Sequence, residues 1–237
     1  MPTRKVQPGR NTTLREAEAL LGVIEPVFPI KYRAEYEREA QVWAYVARCS
    51  ALLRAMVTLT KRGEEDAIGV LYRSLIETWL FGVYLIEMGP EGLDELFADM
   101  SRRADKINRI LGKPLLGGDG QQLHVETVAD RLKGKVGDDF FKAVYDIHYR
   151  IGSFHDSHGH LGALIGNLQV EQGAITVHYR RHDPDHLAAP ELFVAMAVSL
   201  CAGIANRASA ETGMEVSGLG GFLDRWRSYG VAADEVP

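Results

Sequence analysis

The residues from Glu64 to Met88 place the strictest condition on what this chain can fold into. Ile68, Leu71, Leu75, Trp79, Val83 and Ile86 recur at helical spacing along one side, and Val70, Leu80, Phe81 and Tyr84 fall on another. A helix apolar nearly all round cannot lie on a surface, so it takes a central place in a bundle. Gly89-Pro90 stops it, because proline lacks the amide the next turn needs. Within this apolar stretch stand Arg73 and Glu77, one turn apart. Burying an unpaired charge there is costly. The two are therefore expected either to form an internal ion pair or a cap on a neighbouring loop, or to present an arginine clamp for phosphate or carboxylate, oriented by Glu77.

The remaining elements read as helices with short connectors. Thr13 with Glu16 makes a capping-box pattern that opens a helix ending before Pro26. After Pro29 a long helix runs to about Gly63, with the stripe Val42, Tyr45, Val46, Cys49, Leu52, Leu53, Met56 and Leu59. Further helices are expected from Gly92 to Leu111, around Val125 to Lys133, from Asp138 past Leu164, from Pro190 to about Thr212, and from Gly221 to Tyr229. Leu168–Glu171 and Ala174–Tyr179, joined by Gln172-Gly173, carry the strand signal of a tight hairpin. The expectation is an all-α, antiparallel helical bundle with a small β-hairpin near residues 167–179. Residues 1–10 read as a disordered arm, 11–214 as one helical-bundle domain, and 215–237 as a C-terminal helix and flexible tail.

The second unusual stretch is Tyr145 to His160. It holds His148, His155, His158 and His160, half of the chain's eight histidines. Read as a helix, Tyr145, His148, Gly152, His155, Gly159, Gly162 and Gly166 form one seam. Each glycine costs a helix roughly 1 kcal/mol relative to alanine, so close approach of a large group or of another backbone is implied. Because buried polar groups need partners, this seam is expected to pack against Arg73 and Glu77, with Glu77 accepting from Tyr149, Ser153 or His155. His155 and His158 share a helical face and, with His160, Asp156 or Glu77, spell a metal site on paper. A hydrogen-bonded polar helix end fits the same residues, and no His-Glu-x-x-His or cysteine pair accompanies them, so no metal is assigned. His178, His182 and His186 read as surface residues. Arg150 and His155 lie five positions apart, about 140° on a straight helix, and a bend at Gly152 would bring them together. An arginine there can stabilise charge on a reacting phosphate, and a histidine can move a proton near neutral pH.

Composition narrows the classes. Hydrophobic content of 46% and charged content of 25% suit a soluble globular chain of 237 residues. A formal charge of -5 argues against a broad nucleic-acid-binding surface but leaves room for a local basic groove. Cys49 and Cys201 read as buried free thiols of a reducing compartment. The basic N-terminus has no apolar run behind it, so no signal peptide is expected. Leu192–Ala205, the most lipid-like run, is shorter than the ~20 residues of a membrane span. The chain is expected to be cytoplasmic, with no membrane partner.

Two resemblances follow from these residues. Arg73-Ser-Leu-Ile-Glu77, together with Tyr149, Ser153 and His155, resembles an uncharacterised bacterial all-helical family. Its members carry an Arg-Ser-Leu-x-Glu helix, a Tyr-x-x-x-Ser-x-x-His stretch and a closing apolar helix. The likeness spans about Ala34 to Thr212, with His155 here two residues after Ser153, and implies a fold rather than an activity. Arg150 to His155 also resembles the Arg-x-x-x-x-His motif of HEPN ribonucleases, small helical dimers of toxin–antitoxin and phage-defence systems. That likeness implies metal-independent RNA cleavage at a cleft between two subunits and no cofactor. Arg150, His155, Tyr149 and Ser153 would be its catalytic group, with Arg73 and Glu77 behind them. A second reading is a non-catalytic helical module binding a small anionic ligand or a protein partner through Arg73, Glu77 and His158. A third is a histidine-based metal-binding protein.

Overall fold

The computed structural model describes residues 9–64, 67–111, 123–133, 135, 144–145, 149, 168–171, 174–177 and 190–229. The described body is all-α, with six α-helices: α1 (Arg10–Ile24), α2 (Glu37–Arg62), α3 (Ile68–Leu111), α4 (Val125–Leu132), α5 (Pro190–Thr212) and α6 (Leu219–Ser228). The arm at residues 1–8 and the helix expected from Asp138 past Leu164, apart from Val144, Tyr145 and Tyr149, lie outside the described residues. Leu168–Glu171 and Ala174–Val177 pair antiparallel over four residues each. No side chain of either segment is described, and the hairpin expected near 167–179 is not supported as a packed part of the fold.

Side-chain contacts between the helices fix their directions. Arg10 meets the Thr60 carbonyl while Arg54 meets Glu25, so α1 and α2 are antiparallel. Trp43 meets Thr212 and Arg38 meets Glu211, setting the C-terminus of α5 against the start of α2. Tyr72 packs on Phe193 and Glu87 pairs with Arg207, so α3 and α5 run parallel. The bundle is thus antiparallel about α2, and α1, α3 and α5 share one direction.

The core follows the apolar stripes. Val42, Val46, Cys49, Leu53 and Met56 of α2 are fully buried, as are Leu75, Trp79, Leu80, Val83 and Tyr84 of α3. Where α2, α3 and α5 cross, Gly82 lets the helices meet. A Cβ there would lie 2.4 Å from Ile204 Cδ1 and 2.9 Å from Tyr45 Cβ. Cys49 of α2 and Cys201 of α5 are buried beside this crossing, close enough for their sulfurs to hydrogen-bond.

Several expectations are corrected. α1 begins at Arg10 with Gly9 as its N-cap and no side-chain cap, so Thr13 and Glu16 are not a capping box. Both are buried, and Glu16 instead accepts from Arg225 of α6 at 2.9 Å and from Tyr229 at 3.2 Å. The long second helix starts at Glu37 after a 3-10 turn, Ala34–Tyr36. α3 does not end at Met88. It bends at Gly89 (φ 61°, ψ -137°) and resumes, so the two expected helices are the arms of one kinked element. α5 spans 23 residues, so the length argument against a membrane span does not hold. Glu37–Arg62, Ile68–Arg102 and Glu191–Thr212 are each long and apolar enough to cross a membrane by length and composition.

Candidate functional site

The site is built on the first turns of α3. Arg73 and Glu77 stand at the i,i+4 spacing that brings side chains together on a helix. Arg73 Nε lies 3.2 Å from Glu77 Oε1. The pair is not enclosed as expected: 24% of the Arg73 side chain and 36% of the Glu77 side chain remain exposed. Its helix emerges here at the margin of the core, with Val70 exposed nearby. The large cost of a buried charge therefore does not arise, and the pair is reachable from solvent.

Tyr149 completes the arrangement. Its hydroxyl donates to Glu77 Oε1 at 2.9 Å and lies 3.3 Å from Arg73 Nη2. The guanidinium also sits over the Tyr149 ring, 4.9 Å from its centroid, in cation–π geometry. Behind it, the Tyr145 ring stacks on Tyr149 at 5.3 Å and 12°. Val144 and Tyr145 are buried in the core and so seat this short segment against the bundle. Val144, Tyr145 and Tyr149 have π-helical backbone, a local widening often found at functional sites. The Tyr149 phenol is pushed up to about 12, first by burial and then by the Glu77 carboxylate it serves.

Of the residues singled out in the sequence, Arg73, Glu77 and Tyr149 are brought together. Arg150, Ser153, His155 and His158 lie outside the described residues, as do His148 and His160. Among the described residues, no group of three or more His, Cys, Asp or Glu side chains is arranged to hold a metal ion.

Sequence reasoning missed a second cluster of the same composition. Tyr84 donates to Glu95 Oε2, Arg131 Nη1 lies 2.6 Å from Glu95 Oε1, and its guanidinium is 6.0 Å from the Tyr84 centroid. The Tyr84 phenol is pushed up to about 12 by burial and by Glu95. Glu95 is held below the ordinary carboxylate value chiefly by Arg131. Glu77 and Tyr84 are seven residues apart, hence on one face of α3 two turns apart. That periodicity was readable, whereas Glu95 and Arg131, beyond a kink and on another helix, gave no local signal. This cluster fastens α4 to α3 across the bend, as the first fastens Tyr149.

No family model, curated protein or solved structure matches the chain.

Proposed function

We propose that the chain is a HEPN-like, metal-independent endoribonuclease of a bacterial toxin or phage-defence type. In this reading Arg150 stabilises charge on the scissile phosphate, His155 acts as general acid or base, and Tyr149 and Ser153 orient them. Cleavage proceeds by attack of the ribose 2′-hydroxyl on phosphorus, and the 5′-oxygen leaves with a proton. The supporting observation is the engagement of Arg73. Its edge meets Glu77 and the Tyr149 hydroxyl, and its face lies against the Tyr149 ring. Such an arginine suits holding the residue next to Arg150 better than clamping a free anion. Arg73 and Glu77 are then positioning residues. The test is purified protein with mixed RNA in EDTA beside His155→Ala and Arg150→Ala. The wild type is expected to cleave and both variants to fail; equal cleavage by all three, or by none, overturns the proposal.

One observation favours a second reading. The Arg73–Glu77 pair keeps enough exposure to meet a small anionic ligand. A non-catalytic module of that kind would lose ligand-dependent thermal stabilisation in Arg73→Ala but keep it in His155→Ala. Unchanged melting across a panel of nucleotides and carboxylic acids counts against it.

A further inference from the structure

Two adjoining depressions of about 390 and 420 Å³ run along the line where α1 meets the C-terminal half of α2, sharing Glu18 and Lys61 in their walls. Arg10, Arg15, Arg54, Lys61 and Arg62 line them, with Glu18 the one acidic side chain in either wall among the described residues. Five cations in one groove are a concentrated feature in a chain of net charge -5. Part of this charge has local uses. Lys61 and Arg62 complement the carbonyl end of α2. Lys61 lies 2.5 Å from Glu18, Arg54 pairs with Glu25, Arg15 is 3.3 Å from Glu16, and Arg10 is 3.9 Å from Glu191.

These pairings are of the exchangeable kind. The side chains of Lys61 and Glu18 are 49% and 52% exposed, and those of Arg54 and Glu25 are 55% and 41% exposed. Exposed pairs of this sort contribute little to stability. Glu16 is already held by Arg225 and Tyr229, so Arg15, 67% exposed, is its outermost contact. A phosphate can replace the carboxylate at Lys61, Arg54 and Arg15. Among the described residues no aromatic side chain lines the groove, so these residues offer no stacking platform for bases.

The groove also lies at the end of the bundle that carries Arg73. Arg10, at its mouth, reaches Glu191 in the first turn of α5. Phe193, in that same turn, packs on Tyr72 at 5.0 Å between ring centroids. Tyr72 immediately precedes Arg73. Only one turn of α5 intervenes, and two helix-to-helix spacings of 8–10 Å put the groove roughly 20 Å from the Arg73–Tyr149 contact. An RNA strand lying along α1 and α2 would need only a few more nucleotides to reach it.

We infer that the α1–α2 groove is a docking surface for the sugar-phosphate backbone of RNA, without base preference. As a substrate track it rests on the ribonuclease reading; as a binding surface it does not. The test is fluorescence anisotropy of a labelled single-stranded 2′-O-methyl RNA, which lacks the attacking hydroxyl and stays uncut, at several salt concentrations and with two base compositions. Three proteins are compared: wild type, Lys61→Glu/Arg62→Glu and Arg54→Glu. The wild type is expected to bind without base preference. The charge-reversed variants are expected to bind at least tenfold more weakly, with a shallower salt dependence. Unchanged melting temperatures in those variants would show that the fold is intact, since all three substituted side chains are exposed. Charge reversal without effect, a strong base preference, or no binding by the wild type overturns the inference. Binding that follows the groove, with unmodified RNA left uncut, overturns the ribonuclease reading and leaves the groove standing.

Discussion

The hydroxyl of Tyr149 donates to the carboxylate of Glu77 at 2.9 Å, joining positions 72 residues apart. This bond ties Tyr149 to the central helix. Replacing Tyr149 by Phe keeps the stacking on Tyr145 and removes both hydroxyl contacts. The expected loss is about 1–2 kcal/mol of unfolding free energy, measured by urea denaturation. In a double-mutant cycle with Glu77→Ala the two losses should fall short of adding, because each removes the same bond.

Ionisation of Tyr149 gives an independent check. Its folded value of about 12 lies above the ordinary 10.0, so the folded chain holds this proton more tightly than the unfolded chain does. The stability it contributes is fully present below pH 10 and is lost as pH rises from 10 toward 12. Phenolate absorbance in an alkaline titration should show one fewer late-ionising tyrosine in Tyr149→Phe. An unchanged titration would contradict the bond.

At the acid side the sign reverses. Burial tends to raise the Glu16 carboxyl, yet its contacts to Arg225, Tyr229 and Arg15 outweigh this and leave it below 4.5. Glu95 is lowered likewise, by Arg131 first. The unfolded chain therefore binds these protons more readily. The stabilisation is complete above pH 4.5 and is lost as pH falls through the lowered values. The urea midpoint should drop between about pH 6 and about pH 3, and Glu16→Gln should flatten that drop.

Gly82→Ala tests the helix crossing. The added methyl meets the movable end of Ile204 at 2.4 Å but also the fixed Cβ of Tyr45 at 2.9 Å. Overpacking of this kind costs about 1–3 kcal/mol. Ile204→Val in the same background should recover part of the loss, because it removes one of the two obstacles. A fully stable Gly82→Ala protein would mean that the helices do not approach this closely.

Cys49 and Cys201 should resist thiol reagents in the native protein. Both are buried, and burial together with the neighbouring Cys49 sulfur raises the Cys201 thiol, so little thiolate forms. Denaturant should expose both thiols per chain to colorimetric titration. Prompt reaction without denaturant would contradict the packing of α2 on α5.

What could be read from the sequence was what repeats locally. The stripe of α2 and the central place of α3 follow from apolar spacing alone, and Gly89-Pro90 announced a break. The kind of break was not legible, because a bend and a stop share the same dipeptide and differ only in whether the following turns find something to pack on. Glu16 was misread for a related reason. A capping-box glutamate and a buried acceptor for Arg225 look alike until residues more than two hundred positions away are placed beside it. The approach of Tyr149 to Arg73 and Glu77 could be anticipated because both stretches departed from their surroundings in complementary ways. The Tyr84–Glu95–Arg131 cluster could not, since none of its members is unusual where it stands.

The bend at Gly89 has a kinetic consequence. Before it, α3 is locked into the three-helix crossing, and its amides should exchange with solvent only when the whole protein unfolds. After it, the link back to the first arm passes through Tyr84, Glu95 and Arg131, whose contacts are partly solvated. Proline at position 90 cannot carry a hydrogen-bond ladder across the joint. The second arm can therefore open as a separate cooperative unit while the core stays closed. Deuterium uptake should show two classes of protection within one continuous helix, divided at the bend.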